Sequence, residues 1–151
     1  MMHMHHPALV ASRPACACTA LRKASRAVTR LYDEALAGTG MSTIQFSILR
    51  NLARHGALPL MQLADRLVME RTTLYRALVP LRRRGWVSLG ANEGRAKTAS
   101  LTARGRRALA AATGAWEAAQ SGLLAKVGRQ EWLRIESSLA KLVAAAIGEA
   151  A

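Results

Sequence analysis

Residues 69–105 read MERTTLYRALVPLRRRGWVSLGANEGRAKTASLTARG. Leu74, Leu78 and Leu81 recur at the spacing of one helical face, which predicts a helix over Arg71–Arg84 with its leucines turned inward. Pro80 removes one backbone donor from that helix, so a local kink is expected there. Gly85 ends the helix. Trp86-Val87-Ser88-Leu89 then reads as a strand, Gly90 to Ala96 as a polar turn, and Lys97 to Leu101 as the returning strand of a hairpin. Just upstream, Leu60–Leu67 forms a short helix separated from the next by Val68–Glu70. Two short helices joined by so tight a turn make a helix-turn-helix, and the hairpin behind them makes it a winged one.

The flanks are helical as well. Ser42 can cap a helix carrying Ile44, Ile48, Leu49 and Leu52 that ends before Gly56. An earlier helix starts near Pro14, presents Leu21, Ala24, Val28, Leu31 and Ala35, and stops near Gly38–Gly40. Beyond the hairpin, Thr102 caps a long helix with Leu109, Ala112, Trp116, Ala119, Leu123 and Val127 on one face. A last helix near Arg129–Gly148 presents Trp132, Ile135, Leu139, Leu142 and Ala146. The fold class is therefore mainly α with a small β-hairpin wing. The first helix and the last two have no evident partner in a compact monomer, so a homodimer is expected to cover them; the alternative is that they close their own core. Residues 1–13, including His3, His5 and His6, show no periodicity and are expected to be a disordered tail. Residues 14–151 are expected to be a single domain, with a DNA-binding lobe at about 42–104 and dimerisation helices at about 14–38 and 105–148.

Composition agrees with this outline. A chain of 151 residues fits one domain, and 51% hydrophobic residues with only 4% aromatics favours a helical core of Leu, Ala, Val and Ile over a large sheet. No apolar run approaches a membrane span or a secretory signal, so a cytoplasmic protein without membrane contact is expected. Lys and Arg number 22 against 9 acids, a formal net charge of +13, which implies a polyanionic partner. The charge is clustered: residues 71–107 hold nine Arg and one Lys against Glu93 alone. Solvated arginine faces would not explain that clustering. Thr72, Thr73, Arg76 and Arg83 lie off the leucine stripe, where they can reach base edges and phosphates in a major groove, and Tyr75 can add a contact. Arg95, at the tip of the hairpin, is placed to enter an adjacent minor groove. Arg71, Arg82, Arg84 and Lys97 suit the phosphates, which supply affinity without sequence information.

Two motifs carry a family resemblance. Met69-Glu70-Arg71-Thr72-Thr73-Leu74-Tyr75-Arg76 followed by Leu81-Arg82-Arg83-Arg84-Gly85-Trp86-Val87 resembles the recognition helix of the MarR family of transcriptional regulators. Glu93-Gly94-Arg95-Ala96-Lys97 and Leu101-Thr102-Ala103-Arg104-Gly105 are similar to that family's wing tip and wing exit, with Glu93 in place of the usual Asp. The resemblance spans roughly residues 16–148. It implies a dimeric regulator, more often a repressor, on a pseudo-palindromic double-stranded operator, and a small aromatic effector held between the DNA-binding lobe and the dimerisation helices.

Cys16 and Cys18 fall at the start of the first helix. Two positions on a helix differ by about 200°, so the thiols are expected on opposite faces, where an intermolecular disulfide is easier than one between them. A helix N-terminus with Arg22 and Lys23 nearby favours the thiolate. The segment from Cys18 through Arg26 to Leu31-Tyr32 is similar to the first helix of the organic-hydroperoxide-sensing branch of the family. That similarity implies oxidation at Cys18 and a hydrogen-bonding role for Tyr32, while Arg22 and Thr43 occupy the places of two further tyrosines. The alternative is that the cysteines only pack. His3, His5 and His6 with Cys16 and Cys18 form a set that suits zinc or copper in a metal-responsive regulator. An enzyme is not expected: no nucleophile pairs with a histidine, no carboxylates share a face, and no glycine-rich phosphate loop implies a cofactor. A nonspecific architectural or RNA-binding protein also fits the charge, although the scarce tryptophans fall in apolar patterns rather than on a stacking surface.

Overall fold

The computed structural model describes residues 14–91 and 97–148. Six helices and a small antiparallel sheet follow in the order α1 (Ala17–Leu36), a 3-10 turn (Ala37–Thr39), α2 (Thr43–His55), β1 (Leu58–Pro59), α3 (Leu60–Leu67), α4 (Arg71–Arg83), β2 (Val87–Ala91), β3 (Lys97–Leu101), α5 (Ala103–Val127) and α6 (Arg129–Ile147). The fold is that of a winged helix-turn-helix.

Local chemistry sets the boundaries. Ser42 and Gln45 form a reciprocal capping box that starts α2. Asp33 of α1 accepts hydrogen bonds from the backbone N–H and hydroxyl of Thr43, both at 2.7 Å, and fixes where α2 leaves α1. Thr102 caps α5 by accepting from Gly105 N at 2.9 Å, and its hydroxyl donates to the Gly85 carbonyl at 2.6 Å. One side chain thus joins the wing exit to the end of the recognition helix. Gly105 is required for another reason: a Cβ there would overlap the Trp86 carbonyl and come within 2.8 Å of Leu101 Cδ1. α4 runs through Pro80, and Arg84 N donates to the Pro80 carbonyl at 3.1 Å.

The sheet has one strand more than a hairpin, in the order β1-β3-β2. Leu58 pairs with Ala99 and Pro59 with Thr98, while Val87 to Ala91 runs against Leu101 to Lys97. β1 escapes a sequence reading because it is two residues long and ends in proline, a residue confined to sheet edges. The core gathers Leu36, Phe46, Ile48, Leu49 and Leu52 with Leu63, Leu74, Leu78 and Leu81, closed by Trp86, Val87 and Ala112. On α2 the inward face differs from the expected one: Phe46 is buried, whereas Ile44 is 40% exposed. The outer helices behave differently. α6 buries no residue, and Leu21 and Val28 of α1 with Leu133, Leu142 and Ile147 of α6 stand exposed. No helix of the described residues is long and apolar enough to cross a membrane.

Candidate nucleic-acid interface and effector cleft

Leu74, Leu78 and Leu81 fix α4 against the core, so its opposite face turns outward by helical geometry. Thr72, Thr73, Arg76 and Arg83 are exposed there, Arg71, Arg82 and Arg84 are exposed beside it, and Tyr75 is half-buried. Lys97, the first residue of β3, places its ammonium 5.7 Å from the Tyr75 ring centre and so joins the wing to the recognition helix. Not every cation is equally available. Arg84 lays its guanidinium over Trp86 at 4.7 Å and donates to the Gly40 carbonyl, and Arg71 Nη2 lies 2.9 Å from Met61 Sδ. Arg95 and Glu93 lie outside the described residues, as do His3, His5 and His6. Among the described residues no three His, Cys, Asp or Glu side chains converge as metal ligands.

Cys16 and Cys18 are both free and exposed. Cys16 is the N-cap of α1, at φ −58° and ψ 118°, so the rotation expected for two helical residues does not apply to the pair. The thiol makes no full capping hydrogen bond, yet the Thr19 N–H, the Thr19 hydroxyl and the Cys18 N–H draw it below its ordinary pKa. Arg22 follows Cys18 by one turn on the same helical face. Tyr32 lies fourteen residues along α1 from Cys18, about 21 Å of helix, so the two do not meet within one protomer. The Tyr32 hydroxyl instead donates to Gln120 Oε1 of α5.

That Tyr32–Gln120 bond forms one wall of a cleft of about 510 Å³ enclosed by α1, α2, α5 and α6. Phe46 stacks on Trp116 at 5.5 Å between ring centres, and the Arg50 guanidinium caps the same indole at 4.0 Å. Burial raises the Tyr32 pKa against an opposing pull from Arg50. Burial also lowers that of Arg50, with Arg54 adding repulsion and Glu117 opposing it. A partly desolvated cation beside aromatic walls suits an anionic aromatic molecule. Sequence periodicity could not find this site, because its walls come from four helices far apart in the chain.

These features define a class, the winged helix-turn-helix DNA-binding proteins, and the comparisons narrow it. Residues 39–97 match the model of the MarR family. Transcriptional regulator MosR of M. tuberculosis is 38% identical, with 88% of this chain and 96% of that one aligned at a TM-score of 0.78. The same regulator in complex with DNA aligns over 89% and 98% of the two chains at 38% identity and a TM-score of 0.81. A probable transcriptional regulator from Pseudomonas aeruginosa is 27% identical over 83% and 96%, with a TM-score of 0.75. None of the curated protein sequences matches this chain. The chain belongs to the MarR family: it is a DNA-binding transcriptional regulator and not an enzyme.

Proposed function

We propose that two copies of this chain form a cytoplasmic homodimer that represses transcription from a pseudo-palindromic operator. The exposed cationic and hydroxyl face of α4, set against its buried leucines, carries the reading. Thr72, Thr73, Tyr75, Arg76 and Arg83 read the major groove, Arg95 enters the minor groove, and Arg71, Arg82, Arg84 and Lys97 hold phosphates. The bare apolar faces of α1 and α6 favour a second copy as their cover. A gel shift on the DNA flanking its own gene, competed with bulk DNA, tests this. Discrimination of about 10³ or more marks a regulator, and equal competition marks an architectural protein.

Release follows from an oxidant or electrophile at Cys18, with Cys16 beside it, or from a small aromatic ligand. The two exposed free thiols at the start of α1 support the first route. Peroxide should release operator DNA from the wild type and leave a Cys18→Ser protein bound; no release in the wild type, or equal release in both, ends that route. The cleft under Arg50 and Trp116 supports the second. Saturable quenching of tryptophan fluorescence by 4-hydroxybenzoate, lost in Arg50→Ala, is the expected result, and no quenching in the wild type contradicts it.

A further inference from the structure

The described methionines occupy three different environments. Met41 is buried at 3% exposure, Met69 is half-buried, and Met61, in the first turn of α3, is 57% exposed. The exposed sulfur of Met61 is in contact with the recognition helix. Arg71 Nη2, from the first residue of α4, donates to Met61 Sδ at 2.9 Å, and the two side chains share a surface hollow with Asp65 and Met69. A thioether is a weak acceptor, so in the reduced protein this contact yields readily to a phosphate oxygen.

We propose that Met61 is a reversible oxidation site whose sulfoxide captures Arg71 and withdraws it from the DNA backbone. The idea rests on the reading of Arg71 as a phosphate contact. A hydroperoxide transfers one oxygen atom to Sδ: the O–O bond breaks, an S–O bond forms, the sulfur loses two electrons, and the peroxide leaves as the alcohol or water. No proton is left on the sulfur. The new oxygen is polar and acceptor-rich, and it sits where the guanidinium already points, so a charge-assisted hydrogen bond replaces a weak contact. Selectivity follows from exposure, because Met41 is shielded and Met69 half-shielded. The device needs neither cysteine.

The test uses the full chain carrying Cys16→Ser and Cys18→Ser, treated with hydrogen peroxide, mapped by peptide mass spectrometry and titrated with operator DNA. Oxygen should appear on Met61 before Met41 or Met69. Affinity should fall by about tenfold with a shallower salt slope, and methionine sulfoxide reductase should restore both. A Met61→Leu variant should bind like the unoxidised protein and keep its affinity under peroxide. An unchanged affinity with Met61 fully oxidised overturns the proposal, as does an equal loss in Met61→Leu. Arg71→Ala separates the two layers: undiminished binding by that variant refutes the phosphate role of Arg71, whereas weakened binding without any effect of the sulfoxide refutes the switch alone.

Discussion

The guanidinium of Arg84 lies 4.7 Å from the centre of the Trp86 ring and donates to the Gly40 carbonyl, so the end of the recognition helix is tied to the turn that follows α1. Its neighbours Arg82 and Arg83 have no such tie among the described residues. Arg84→Ala should therefore lower stability by about 1 kcal/mol, a modest figure because the side chain is exposed. Arg82→Ala should leave stability unchanged and weaken DNA binding. Thermal melts and binding titrations on both variants check this; equal melting temperatures would show that the Arg84 contact contributes nothing.

Gly105→Ala should be severely destabilising. Alanine is ordinarily worth about 1 kcal/mol more than glycine inside a helix, but here its methyl group meets the Trp86 carbonyl and Leu101. Overpacking against backbone wins, at about 3 kcal/mol or more. Gly114, where a Cβ would have no other atom within 4 Å outside its own helix backbone, is the control, and Gly114→Ala should not destabilise the fold. Denaturant unfolding of both variants is the measurement.

Val68 ends α3, inside the turn of the helix-turn-helix, with φ 50° and ψ 45°, a left-handed conformation that a β-branched residue adopts only with strain. Its side chain is 59% exposed, so little packing offsets the strain. Val68→Asn should raise stability by about 1 kcal/mol. A loss of stability on denaturant unfolding would show that Val68 makes contacts worth more than its strain.

The Cys16 thiol should titrate below its ordinary 9.0, because Thr19 and the Cys18 N–H stabilise the thiolate. Such a lowered pKa adds stability that is present above the unfolded value and is lost as pH falls through the folded one. In a Cys18→Ser protein, the rate of iodoacetamide alkylation should reach half its plateau below pH 9.0, and Thr19→Val should move that midpoint upward. An unmoved midpoint in the variant would remove the Thr19 hydroxyl from the account.

Much of the architecture was legible because its signals are local. The leucine spacing of α4, the serine cap of α2 and the Thr102 cap of α5 each act within a few residues, and α2 and α5 begin where their caps stand. Long-range choices were harder to read. Phe46 instead of Ile44 faces the core because Trp116, seventy residues later, stacks on it. β1 exists only because β3 pairs with it. Arg76 and Arg83 could be read from their place away from the leucines, but the hold of Trp86 and Gly40 on Arg84, and of Met61 on Arg71, could not. Val28, Trp116 and Trp132 could be read as members of apolar helix faces, but nothing local to them shows that they share a cleft with Arg50.

The dependence of DNA affinity on salt tests the central claim most directly. If each of two protomers neutralises about four or five phosphates, the logarithm of the binding constant for the DNA flanking its own gene should fall against the logarithm of salt concentration with a slope near −8. A slope near zero would contradict a recognition helix that works through its arginines.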